Sequence, residues 1–226
     1  MGGDCGQTPT IAMKTITLNN VLPHVFSQRT NLRSDIWQQN VCFEKGKIYL
    51  VEAMSGTGKS TLCSYLIGYR HDFTGEITFD QTATSTLKVS GWVTVRQRHV
   101  SHLFQELRLF PELTALENIQ IKNNLTHFKT EKEIEEWFER LDIADKLATK
   151  VEKMSFGQQQ RVAMIRALVQ PFDFLLTDEP ISHLDDKNAQ AMAEIMTEEA
   201  GRQEAGIIVT SIGKHWELPY DHIFKL

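Results

Sequence analysis

Lys47-Ile48-Tyr49-Leu50-Val51-Glu52, then Ala53-Met54-Ser55-Gly56-Thr57-Gly58-Lys59-Ser60, then Thr61-Leu62-Cys63-Ser64-Tyr65-Leu66-Ile67: this stretch decides how the chain folds. The first six residues form a short β-branched apolar run, the pattern of a buried strand. Ser60 to Ile67 reads as a helix. The loop between them matches G-x-x-x-x-G-K-[ST] at every position but the first, where Ala53 stands in place of Gly. Glycines at 56 and 58 let the backbone curl so that successive N–H groups face an anion. The helix N-terminus adds the positive end of its dipole. Lys59 is then placed to reach β- and γ-phosphates, the Ser60 hydroxyl to bind Mg²⁺, and Thr61 to donate to an α-phosphate. A Gly-rich turn followed by a chance Lys-Ser is the competing reading, and the strand–loop–helix context weighs against it. Ala53 is strained if its backbone needs φ > 0 and tolerated if the loop needs only a small side chain.

Outward from this loop, Thr15 to Leu18, Val41 to Glu44, Gly75 to Phe79 and Trp92 to Val95 carry strand patterns, and QTATSTLKVSG reads as a polar loop or edge. Ala115 to Asn123 and Glu131 to Leu147 read as helices. In the second, Ile134, Trp137, Phe138 and Leu141 share one helix face, and the charges around them form a solvated face. A further helix follows Met154. Phe172 to Leu176 is an apolar run, Asn188 to Arg202 is helical, Ala205 to Thr210 is a buried strand, and His222 to Leu226 a last short one. Strands alternating with helices imply an α/β fold on a parallel sheet. The helical stretch at about 106–157 interrupts the alternation and is expected to be an inserted helical subdomain. Internal repeats and low-complexity segments are absent from the sequence.

Composition limits the class. The 226 residues suit one domain with a subdomain, and 41% hydrophobic with 23% charged residues is ordinary for a globular chain. A net charge of -5 gives no electrostatic case for a nucleic-acid partner. Cys5, Cys42 and Cys63 form no CxxC pair, so reduced thiols are expected, not a disulfide frame or a metal site. No run approaches the ~18 apolar residues that span a bilayer. Residues 1–12 lack the apolar core of a secretory signal and are expected to be a disordered extension, with the folded domain at 13–226.

A second chemical element is Phe174-Leu175-Leu176-Thr177-Asp178-Glu179-Pro180. A buried strand here delivers two carboxylates to its C-terminal end, where ligands sit in such sheets. Asp178 is placed to hold Mg²⁺, and Glu179 to act as general base on an attacking water. Alone, the pattern is an ordinary strand end. Downstream of the phosphate loop it becomes a specific pair.

Met154-Ser155-Phe156-Gly157-Gln158-Gln159-Gln160-Arg161 resembles the LSGGQ signature, with its trailing QQR, of ATP-binding cassette (ABC) ATPases. Physically, a helix N-terminus with a Ser and a Gly offers hydroxyl and N–H donors to a phosphate. Leu103-Phe104-Gln105 resembles the family's Q-loop, the LFPELTALEN run at 109–118 the segment after it, and Ser182-His183-Leu184-Asp185 its D-loop. The resemblance spans about Lys14 to Leu226 and looks like the MacB, LolD and FtsE type of cassette.

The resemblance implies a P-loop NTPase with a RecA-like parallel core, an antiparallel β subdomain and an inserted helical subdomain. It implies ATP and Mg²⁺ as cofactors. The nucleotide site comprises Phe26 (stacking on adenine), Ala53, Met54, Ser55, Gly56, Thr57, Gly58, Lys59, Ser60, Thr61, Gln105 and Asp178. The metal residues are Ser60, Gln105 and Asp178, and the catalytic residues are Glu179, Lys59, Gln105 and Ser211. Ser155, Phe156, Gly157 and Gln158 act in trans on ATP held by a second cassette, and Ser182 and Asp185 cross that dimer interface. The implied partners are a second copy or another cassette and a transmembrane permease, on the cytoplasmic face of the inner membrane.

Two departures matter. Phe156 replaces the usual Gly but leaves Ser155 and Gly157 as donors. After the GIIVT strand, the family's switch His is replaced by Ser211, which is shorter and neutral, and His215 reaches the site only if the loop folds back. An alternative is therefore a degenerate cassette that binds ATP but turns it over slowly. A small-molecule kinase is a third reading, and it leaves Ser155–Gln160 and Ser182–Asp185 without a role.

Overall fold

The computed structural model describes residues 12–29, 32–181, 185–213 and 215–226. The expectation for residues 1–12, apart from Ala12, lies outside them, as does Ser182.

Two sheets form the frame. Strands β1 (Thr15–Pro23), β2 (Asn40–Glu44), β4 (Phe73–Phe79) and β5 (Thr82–Ala83) make an antiparallel sheet in the order β2-β1-β4-β5. Strands β3 (Ile48–Glu52), β6 (Val100–Leu103), β7 (Phe174–Asp178), β8 (Gly206–Ser211) and β9 (His222–Lys225) make a parallel sheet in the order β6-β7-β8-β3-β9. Every residue of β7 and β8 is buried. A strand covered on both faces is mostly apolar, which is why residues 174–176 and 207–209 read as continuous runs before the polar ends of the two strands. One face packs on α5 (Phe156–Leu168) and α6 (Asp186–Arg202), and the other on α1 (Lys59–Leu66) and the antiparallel sheet. The C-terminal ends of β6, β7, β8 and β3 are neighbours along one edge, where Gln105, Asp178, Ser211 and the phosphate loop follow.

Between β6 and β7 the chain runs through α3 (Ala115–Asn123), α4 (Glu131–Arg140) and α5. Capping boxes start all three: Thr114 with Glu117, Thr130 with Glu133, and Ser155 with Gln158. The face of α4 buries Ile134, Trp137 and Phe138, as its periodicity requires.

Two expectations are corrected. Trp92 to Val95 is not a strand: α2 (Val89–Thr94) and a wider-wound turn, Val95–His99, occupy it, and the strand is Val100–Leu103. Trp92 and Val95 look β-forming, but at i and i+3 they bury one helix face. Trp92 meets Phe79 edge-on at 5.8 Å and lies over Gly68, where a Cβ would sit 2.4 Å from Trp92 Cε3. Packing here overrides propensity. The helix expected over 131–147 ends at Arg140, because Asp142 takes a φ of +54° and a short turn at Ala144–Lys146 follows.

Asp173 ties distant segments together. Its carboxylate accepts from Met13 N at 2.7 Å, from the Lys45 ammonium at 2.6 Å, and meets His99 Nδ1 at 2.6 Å. Burial pushes its pKa up, but the hydrogen bonds from His99 and Lys45 outweigh this and hold it below the usual carboxylate range. A depressed carboxylate adds stability above its unfolded pKa of about 4, and that stability is lost as pH falls through the lower folded value. Asp173→Ala is expected to destabilise by about 2 kcal/mol at pH 7, since it leaves the half-buried Lys45 ammonium and the Met13 N–H without their acceptor. In denaturant unfolding the gap to wild type narrows below about pH 4.

Candidate functional site

The phosphate loop is held in shape by its own neighbours. Ala53 N donates to Ser211 O at 3.0 Å, pinning the loop's start to the end of β8. Ala53 does not take a positive φ, so the missing Gly costs no backbone strain. Gly56 (φ +76°) and Gly58 (φ +105°, ψ +22°) carry the left-handed turns. At Gly58 space agrees with torsion: a Cβ would lie 3.0 Å from Phe26 Cε2 and 3.1 Å from Trp37 Cζ2. Trp37 Nε1 donates to Thr57 O at 3.1 Å, and Thr57 Oγ1 to Met54 O at 2.8 Å. The loop therefore presents a preformed cradle ending on the N-terminus of α1.

Charge converges on that cradle. Lys59, the first residue of α1, is 5% exposed, and its ammonium lies 3.4 Å from Glu179 Oε1, whose side chain is 14% exposed. Gln105 Nε2 donates to Glu179 Oε2 at 3.2 Å. Glu179 follows β7 with a φ of +49°, a left-handed conformation that a non-glycine residue adopts only under constraint. Its N–H donates to Thr210 O at 3.0 Å, which fixes the turn. Asp178 is buried, and its Oδ1 accepts the Thr210 hydroxyl at 2.6 Å. A carboxylate, a cation and an amide thus face one cavity of about 460 Å³, with Ser55, Gly56, Gly58, Ser60, Thr61 and Phe26 in its wall.

Not every expected residue lies there. Met54 points outward, 77% exposed. Ser211 ends β8, buried, and Ile212 takes the place beside the cavity. His215 is engaged elsewhere: Nε2 lies 3.7 Å from Glu52 Oε1, and its ring meets Tyr220 edge-on at 5.6 Å. Ser155 to Gln158 are not in this cavity's wall but cap α5. Ser155 Oγ accepts from Gln158 N at 3.3 Å, Gln158 Oε1 accepts from Ser155 N at 2.9 Å, and Phe156 is 45% exposed. Asp185 caps α6, accepting from Asn188 N at 2.9 Å.

Three residues escaped the sequence reading. The Arg29 guanidinium lies 4.5 Å over the Phe26 ring and covers one of its faces. Arg70 Nη1 donates to Thr61 Oγ1 at 3.3 Å while pairing with Asp72. Trp37 holds the loop at Thr57. An Arg three residues after an aromatic in a polar stretch carries no periodic signal, and Trp37 sits in a turn remote from the loop in sequence.

Fold and cradle together define a P-loop nucleotide-binding protein, a parallel sheet delivering a phosphate loop and a Lys–carboxylate pair to one edge. The ABC transporter family model matches residues 37–182, and the chain belongs to that family. It is similar to the ABC transporter ATP-binding protein YclH of Bacillus subtilis (33% identical over 177 residues, 76% of each chain). It is also similar to the lipoprotein-releasing system ATP-binding protein LolD of Saccharophagus degradans (31% over 175 residues, 76% of this chain and 77% of that one). The structure matches MJ0796, described as a bacterial ABC transporter cassette and solved as a dimer, with a TM-score of 0.72 at 25% identity over 86% and 87% of the two chains. The chain is thus an ABC ATPase cassette, of a family that binds ATP. Among the described residues no helix is long and apolar enough to cross a membrane.

Proposed function

We propose that this chain is the ATP-hydrolysing subunit of an ABC transporter and works as a head-to-tail dimer on a separate permease at the cytoplasmic face of the inner membrane. The observation that carries the reading is the Lys59–Glu179–Gln105 cluster at the mouth of the phosphate cradle. Lys59 and the loop N–H groups hold the β- and γ-phosphates, and Thr61 the α-phosphate. Phe26, with Arg29 across its face, lies where the base enters. Ser60, Gln105 and Asp178 offer hydroxyl, amide and carboxylate oxygens, a hard donor set that fits Mg²⁺. Bound there, Mg²⁺ supplies charge neutralisation at the phosphate oxygens. Glu179 takes the proton of the attacking water, with Gln105 and Lys59 fixing its orientation.

In this reading Ser155, Phe156, Gly157 and Gln158 face the γ-phosphate held by the partner cassette, and Ser182 and Asp185 cross the interface. The Ser155 cap supports it, because the hydroxyl oxygen accepts from Gln158 N while the O–H keeps its capacity to donate. The helical subdomain at about 106–157 reports the nucleotide state through Gln105. Beside it opens a groove of about 300 Å³, where Tyr69, Phe104, Ile121 and Leu125 lie among Arg96, Arg108, Lys122 and Arg166. A permease segment with apolar and acidic side chains suits that lining.

A second reading, slow turnover with ATP binding retained, is favoured by Ser211 at the switch position and by His215 being held at Glu52. Phosphate release by wild type beside Ser211→His separates the two. Under the main reading wild type hydrolyses ATP readily, and the substitution changes the rate by less than about tenfold. Background turnover in wild type, rescued in Ser211→His, supports the second instead. Ser211 is buried, so thermal unfolding is read alongside to detect overpacking.

A further inference from the structure

We propose that a thiophilic divalent cation, zinc, binds between Cys63, His102 and Asp178, beside the nucleotide site. Cys63 lies one turn into α1 after Lys59, His102 on β6, and Asp178 at the end of the adjacent strand β7. One ligand atom from each, thiol sulfur, ring nitrogen and carboxylate oxygen, lies within 4.8 Å of the other two. Around tetrahedral zinc, with bonds of 2.0–2.3 Å, ligand atoms stand about 3.5 Å apart. Binding therefore requires the three ligand atoms to draw together by up to about 1 Å.

Independent features point the same way. Both ring nitrogens of His102 are buried and have no hydrogen-bond partner among the described residues, an exception that calls for an explanation in a folded chain. Ligation satisfies one of them. Cys63 is a buried free thiol, one turn from the phosphate loop. The Thr210 hydroxyl donates to Asp178 Oδ1 at 2.6 Å, the outer-shell hydrogen bond that orients a ligating carboxylate. A sulfur–nitrogen–oxygen set favours zinc over Mg²⁺ or Ca²⁺, which take oxygen ligands. On binding, the Cys63 thiol gives its proton to solvent and the thiolate bonds the ion, with water in the fourth position. The sequence alone did not expect this, because the three residues are far apart in the chain and Cys63 has no CxxC partner.

The consequence is a brake. Zinc on Asp178 withdraws that carboxylate from Mg²⁺ and stops hydrolysis, and this part rests on the role given to Asp178 under the proposed function. The groove that His102 lines also carries Arg96, Arg108, Lys122 and Arg166. A dication entering there meets like charge, so added salt speeds its uptake.

The test uses the full-length, metal-free chain in a Cys5→Ser, Cys42→Ser background, leaving one thiol. Cobalt(II) titration is expected to give one ion per chain with a thiolate-to-cobalt charge-transfer band, displaced by zinc. Cys63→Ser abolishes the band, and His102→Phe weakens zinc binding at least about 100-fold in competition with a chromophoric chelator. Zinc inhibits ATP turnover in the parent and spares His102→Phe. Absence of the band, or zinc affinity in His102→Phe within about threefold of the parent, overturns the site. A band that behaves as expected while zinc leaves turnover unchanged supports the site and overturns the assignment of Asp178 to Mg²⁺.

Discussion

Glu179→Gln lowers steady-state phosphate release by about 10²–10⁴-fold and leaves ATP binding in place. Glu179 is the carboxylate that faces the cavity, within 3.4 Å of Lys59 and 3.2 Å of Gln105. Its φ of +49° and the bond from its N–H to Thr210 O aim it there. Gln has the same length and keeps a hydrogen-bonding oxygen, so the turn and the cradle persist. What it lacks is a group that accepts a proton from water. Loss of turnover with retained ATP affinity is the signature of a base, not of a binding residue. Turnover within tenfold of wild type means that another group takes the proton.

Lys59→Ala acts on binding instead. Lys59 is almost fully buried at the start of α1, so its ammonium is held, not waving in solvent. Charge-assisted hydrogen bonds contribute about 1.5–3 kcal/mol each. Losing one or two to β- and γ-phosphates weakens ATP affinity by about 10²-fold or more, at about 1.4 kcal/mol per tenfold. The substitution also leaves the Glu179 carboxylate without its cation, which repels the γ-phosphate. Calorimetric titration with ATP and Mg²⁺ reads the effect. Affinity within a factor of three of wild type removes Lys59 from the phosphate site.

The two largest effects concern residues that the sequence already singled out, and the reason is local. Lys59 and Ser60 follow a Gly-rich loop between a strand and a helix, and Glu179 directly follows a wholly buried strand. Each is fixed by its own neighbours in the chain, so spacing suffices to find it. Arg29 over Phe26, Trp37 under Thr57, and Cys63 with His102 were invisible because long-range packing brings them together. The strand misread at Trp92 has the same origin. Its aromatic and β-branched residues are there to cover Gly68 and Phe79, a requirement set by tertiary contacts. His215 shows the reverse: nearness in sequence to the switch position did not bring it to the cavity, because Glu52 and Tyr220 hold it.

Ser155 and Gly157 pose the central question, since they cap α5 outside the wall of this chain's own nucleotide cavity. In the proposed dimer they face a phosphate held by another copy. Light scattering of Glu179→Gln, run with and without ATP and Mg²⁺, tests this most directly. The expected result is twice the monomer mass with ATP, a monomer without it, and loss of the dimer when Ser155→Arg is added. A monomer at saturating ATP contradicts it.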